Sequence, residues 1–110
     1  MNDKKFNTNL ITVENLFQQL DKAFENKIRL GVMSALMVNS HVSFNDLKEL
    51  LGVTDGNLAS HLKYLEKEEY VSVKKRFIDR KPNTVYQITD VGRIAFEKHI
   101  NTLEQILKQF

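Results

Sequence analysis

In the stretch TDGNLASHLKYLEKEEYV, residues 54–71, polar side chains recur at helical intervals: Thr54, Asn57, Ser60, Lys63 and Tyr64. The set holds an amide, hydroxyls and an ammonium, which is hydrogen-bonding chemistry rather than bond-breaking chemistry. An asparagine can pair bidentately with the edge of adenine, and a lysine can reach guanine or a phosphate. The hydroxyls of Ser60 and Tyr64 suit phosphates or bases, as register permits. Free amides near Thr54 would also favour a phosphate, whereas Asp55 opposes one unless it faces cytosine or serves only the cap. At 100° per residue, Leu58, Leu62 and Leu65 fall within about 60° of one another and form the buried face; Gly56, Ser60, Lys63 and Lys67 lie opposite, with Asn57 and Tyr64 on one flank. Most polar helix faces are merely solvated, so this one gains meaning only from its neighbours. His61 falls beside the leucines, where packing at the core edge competes with any role in binding.

The neighbour that matters is SVKKRFIDRKPN, residues 72–83, where Lys74, Lys75, Arg76, Arg80 and Lys81 stand against Asp79 alone. The whole chain carries a formal charge of only +2, so this excess is local. Successive residues of a strand face opposite ways, so Lys74, Lys75 and Arg76 cannot all meet one partner. Lys75 shares a face with Val71 and Phe77 and suits snorkelling over the core. Lys74, Arg76, Arg80 and Lys81 are the candidate DNA contacts. Arg80 and Lys81, at the tip, suit the minor groove, whose narrow A·T tracts attract arginine, or its phosphates. The plain alternative is a soluble edge strand guarded by lysines.

Other chemistries find little support. His41, His61 and His99 share no metal-ligand spacing, and the chain has no cysteine, so thiolate metal sites and disulfides are excluded. No phosphate-binding glycine loop, nucleophile elbow or zinc-protease motif occurs, so neither an enzyme nor a cofactor is expected. At 110 residues, 42% apolar and 27% charged, the chain is expected to form one globular domain with a small core. It shows no signal peptide and no membrane-length apolar run, which makes a cytoplasmic location the default.

The elements that must position these residues follow from caps and periodicity. Residues 1–11 are polar and read as a flexible arm. Thr12 can cap a helix carrying Val13, Leu16, Phe17, Leu20 and Phe24 on one stripe. A second helix starts near Asn26, is apolar nearly all round, and breaks at Asn39-Ser40-His41. Val42 and Ser43 suit a very short strand, and Ser43 caps a third helix with Asp46 as partner. That helix is expected to bury Phe44, Leu47, Leu50 and Leu51 and to stop at a left-handed Gly52. Only Gly52-Val53 separates it from the Thr54 cap, which makes residues 43–69 a helix-turn-helix. Residues 71–89 then alternate as two antiparallel strands, with DRKPN as the joining loop because it holds the chain's only proline. Thr89 and Asp90 open a last helix, residues 90–110.

That last helix places Phe96, Ile100, Leu103, Leu107 and Phe110 at steps of four and three, a two-heptad seam. With Leu16, Phe17, Leu20 and Phe24 it offers large apolar side chains that a small domain covers with difficulty. Packing against a second copy would bury them in a homodimer; packing of the two terminal helices on each other within one chain is the alternative. The expected class is mainly α with a small β-hairpin (α+β), a winged helix-turn-helix with N- and C-terminal dimerisation helices.

The run LxxLLGVTDGNLASHLKYLEKEEYVSVKKRFIDRKPNTVYQITDVGR, with AFENKIRLGVMSAL before it, resembles the small winged-helix transcription regulators related to the MarR and ArsR groups. The likeness covers about residues 13–107. It implies a homodimeric, sequence-specific regulator of double-stranded DNA without enzymatic activity. The cysteines by which many ArsR-type proteins sense metal have no counterpart here, and the sequence specifies no effector. A winged helix used as a protein-binding module is the competing class, for which the near-neutral total charge and the acidic Glu66, Glu68 and Glu69 leave room.

Overall fold

The computed structural model describes residues 12–110, so the arm expected over 1–11 lies outside the described residues. Helix α1 covers residues 12–18 and is followed by a 3-10 turn, Lys22–Phe24. Helix α2 (Lys27–Val38) leads through strand β1 (Val42–Ser43) into α3 (Phe44–Leu51) and α4 (Asp55–Lys67). Strands β2 (Val71–Ile78) and β3 (Lys81–Ile88) form the hairpin, and α5 (Asp90–Leu107) closes the chain. The sheet is antiparallel with order β1-β3-β2. Its short third strand pairs Val42 with Tyr86 and Ser43 with Val85.

Local chemistry sets most boundaries. The side chains of Asn26, Ser43, Thr54 and Thr89 each accept a first-turn amide hydrogen bond, capping α2, α3, α4 and α5 in turn. Gly52 ends α3 at φ 62, ψ 41, and its N–H bonds back to the Lys48 carbonyl. Helix α2 lies at the centre and buries Val32, Met33, Ala35 and Leu36. Leu47 of α3 and Leu58, Leu62 and Leu65 of α4 complete the core on one side; Phe24 and Phe96 of α5 belong to the same cluster.

The first helix does not run to Phe24. Asp21 turns its carboxylate onto the Ala23 N–H and starts the 3-10 turn instead. Phe24 is thereby driven into the core, stacked on Tyr70 and set edge-on against Phe96 and His99. This corrects the expected dimer seam. Phe24 and Phe96 are buried by their own chain and offer nothing to a second copy, and Leu16 is also buried. Leu20 and Leu103 are half-buried, while Phe17, Ile100, Leu107 and Phe110 remain exposed. Leu50, expected to be buried, is exposed as well, because only Leu47 of α3 points fully into the core.

The hairpin is tighter than the proline suggested. Ile78 pairs with Lys81, which leaves Asp79-Arg80 as a two-residue turn and puts Lys81, Pro82 and Asn83 inside β3. Pro82 sits opposite Phe77, next to the closing pair, where an antiparallel ladder forms no hydrogen bond, so its missing N–H costs nothing. At the other end of the hairpin, Tyr70 and Thr89 meet. The Thr89 N–H bonds to the Tyr70 carbonyl, and its hydroxyl to the Glu69 carbonyl. Gly92 lies against the Tyr70 carbonyl so closely that an added Cβ would fall 2.1 Å from its oxygen.

Candidate nucleic-acid interface

Three leucines hold α4 to the body of the protein, each 1% exposed or less. The opposite face presents Thr54, Asn57, Ser60 and Lys63, all exposed. Two of these already have local partners. The Thr54 hydroxyl accepts the Asn57 N–H at 3.2 Å, and the Ser60 hydroxyl donates to the Asn57 carbonyl at 3.2 Å. The side chains of Asn57 and Lys63 project outward among them. Asp55, which would repel a phosphate at this helix start, pairs with Lys48 of α3 at 2.8 Å. That ion pair also ties the two helices of the helix-turn-helix together.

Tyr64 differs from the rest of the expected set. It is half-buried and packed against the core, with the Arg29 guanidinium 4.0 Å over its ring. Arg29, in the first turn of α2, also reaches His61, its Nη1 lying 3.0 Å from the ring Nδ1. Its Nε donates to the Ala23 carbonyl at 2.6 Å. His61 is thus at the edge of the buried face, as its angle on the helix implied, with the Arg29 side chain as its partner. Burial, and secondly the charge of Arg29, lower its pKa from the usual histidine value. Arg29 was missed from sequence because nothing near it in the chain marks its partner, 32 residues on.

The hairpin divides its basic residues by face. Lys74 and Arg76 share one face with Lys81, being opposite Val85 and Asn83 while Lys81 is opposite Ile78. Arg76 Nε donates to the Asn83 side chain at 3.3 Å. Lys75 faces the other way with Val73 and Tyr86 and lines a hollow of about 530 Å³ that also takes in Glu66 and the start of α3. Phe77 follows Lys75 on that face but stands too far along the hairpin to reach the core, and is 75% exposed. At the tip, Asp79 and Arg80 have φ 51 and 68, the two-residue geometry that glycine and asparagine ordinarily occupy. An arginine there keeps a cation at the most projecting point, at a cost of about 1–2 kcal/mol in backbone strain.

A polar-faced helix behind a tight turn, a basic hairpin beside it and a short third strand make up a winged helix, and the family comparison agrees. A model of a winged helix DNA-binding domain matches residues 28–107. The chain belongs to this winged-helix DNA-binding family. A transcriptional regulator homologue from Pyrococcus horikoshii OT3 is similar in structure, with a TM-score of 0.76 and 29% identity, over 92% of this chain and 95% of that one. A mutant MarR from Escherichia coli shares the fold at TM-score 0.70 and 18% identity, over 97% of this chain and 79% of that one. In sequence, an uncharacterised protein of Methanocaldococcus jannaschii is 39% identical over 87 residues, 79% of this chain and 95% of the relative. The winged helix that the residues implied is therefore the family found, a DNA-binding one. Among the described residues no cluster of three or more His, Asp or Glu could hold a metal ion, and no helix is long and apolar enough to cross a membrane.

Proposed function

We propose that this winged-helix protein is a sequence-specific transcription regulator that binds duplex DNA as a homodimer, with α4 in the major groove and the wing on the minor groove and its phosphates. The observation that carries the reading is the division of α4. Its leucines are buried, while Asn57, Ser60 and Lys63 stand clear on a face free of large apolar side chains. A helix of that shape fits a groove about 12 Å wide, and its side chains can reach base edges there. Arg80 and Lys81 supply charge beside it, with Lys74 and Arg76 on the flank. For the dimer, the support is the set of exposed apolar residues at the chain's two ends: Phe17 on α1, Ile100 and Leu107 on α5, and Phe110 just past α5. Two such units on a two-fold axis read half-sites about 34 Å apart.

Titration of a random-sequence duplex at low and physiological salt tests the reading. Affinity is expected to fall steeply with salt, because each phosphate contact releases counterions. Replacing Arg80 and Lys81 by alanine should flatten the slope of log affinity against log salt by about 2. A double variant with the wild-type slope would remove the wing from the interface. No binding at either salt would leave the fold as a protein-interaction module.

A further inference from the structure

We propose that Arg29 and His61 form a positioning pair that sets how α4 is presented to DNA, and that the pair holds only while His61 is neutral. The inference rests on the reading of α4 as the groove helix. One guanidinium of α2 makes three contacts on two other segments: the Ala23 carbonyl of the 3-10 turn at 2.6 Å, His61 Nδ1 of α4 at 3.0 Å, and the Tyr64 ring of α4 at 4.0 Å. His61 and Tyr64 lie three residues apart on one flank of the helix, so the guanidinium grips it at two successive points. The leucines fix α4 against the core; this flank fixes its rotation. Each gripped residue directly follows a residue of the outward face, Ser60 before His61 and Lys63 before Tyr64. Rotation of α4 would carry that face with it.

The chemistry of the pair is one-sided. A guanidinium has donors only, so His61 Nδ1 must accept, and the ring carries its single hydrogen on Nε2. Protonation of Nδ1 sets donor against donor and adds like charge at hydrogen-bond distance. From α2 the charged group facing the ring is Arg29; the 3-10 turn brings only a carbonyl to the cluster; on α4 itself the companion is Tyr64. Among the described residues neither Arg29 nor His61 has a carboxylate partner that would steady an imidazolium. Burial and Arg29 hold the ring in its neutral form.

The expected consequence runs against the ordinary trend. Acidification adds positive charge to a protein and normally strengthens its grip on phosphates. Here, specific affinity should fall. The test uses the full chain and the duplex that wild-type protein selects from a random pool, with affinity measured from about pH 7.5 to about pH 5.5 at fixed salt, and random duplex as reference. Wild type should lose specific-to-random ratio as pH falls through this range, because proton uptake by His61 favours the released over the gripped state. H61Q, whose side-chain oxygen can still accept from Arg29 but does not titrate, should hold a flat profile. R29A should show the reduced ratio at every pH, with random binding retained. Nitrogen-detected NMR of the free protein reads the pair without DNA: His61 Nδ1 should be the unprotonated ring nitrogen, and its titration should move up in R29A, or in R29K should R29A not fold. An H61Q profile that follows wild type, or an R29A ratio equal to wild type, overturns this inference alone. A wild-type chain that holds no duplex at all overturns the DNA reading and this role with it.

Discussion

Two non-glycine residues at positive φ separate structural from functional demands at the scale of single residues. Glu69, φ 64, ends α4 in the left-handed conformation while the Tyr70 N–H bonds to the Leu65 carbonyl. Glycine would suit that position better. Glu69→Gly should therefore stabilise the protein by roughly 0.5–1 kcal/mol, read from urea denaturation, without changing DNA affinity. Arg80 has the same backbone geometry at the wing tip. Arg80→Gly should relieve similar strain yet weaken DNA binding and flatten its salt dependence. Stability and affinity would then move in opposite directions, which identifies the charge as what is kept there.

Histidines carry the acid sensitivity. His99 Nδ1 accepts the Asp21 N–H at 3.0 Å, and Asp21 in turn accepts the Tyr70 hydroxyl at 2.6 Å. Burial lowers the His99 pKa, partly offset by Asp21 and Glu25, while burial and the bond to Asp21 raise that of Tyr70. Both His61 and His99 titrate below the unfolded value of 6.5 when the chain is folded. The unfolded chain thus binds protons first. Their stabilisation is complete above pH 6.5 and is lost as pH falls from there through the folded pKa values. Thermal melting at about pH 7.5 and about pH 5.5 should show the loss, and a double H61Q, H99Q variant should lose less between the same two conditions.

At the scale of elements, the orientation of the wing depends on one crowded junction. The start of α5 crosses the Tyr70 carbonyl at Gly92, while Thr89 ties the end of β3 to the end of α4. Gly92→Ala must move backbone rather than a flexible side chain. It should cost about 1–3 kcal/mol by denaturant titration, the range for overpacking a close contact. Gly31 offers a contrast: an added Cβ there meets only the end of the Leu51 side chain. The helix-turn-helix itself is held by simpler means, three leucines, a left-handed glycine and the Lys48–Asp55 pair.

At the scale of the whole molecule, the terminal helices keep more apolar surface than one chain covers. Phe17, Leu107 and Phe110 are 65%, 64% and 94% exposed. Light scattering at micromolar concentration should give about twice the 12.8 kDa of the chain. Replacing Phe17 and Leu107 together by glutamate should return the monomer mass and weaken DNA binding with it. A wild-type mass of 12.8 kDa would remove the dimer from the proposed function.

What the sequence determined by itself is what depends on neighbours a few residues away. The caps at Asn26, Ser43, Thr54 and Thr89, the left-handed Gly52, the leucine face of α4 and the alternating hairpin are all readable, because helix and strand periods are local properties. The winged helix and the outward face of α4 follow from them. Tertiary structure decided the rest. Asp21 finds His99 78 residues away, Arg29 finds His61 at 32, and Phe24 leaves its expected stripe to fill the core between Tyr70 and Phe96. The period of a helix says which side is apolar. It does not say whether that side meets its own chain or another, since both remove the same surface from water. Only the packed structure distinguishes Phe96, which is buried, from Leu107, which is not.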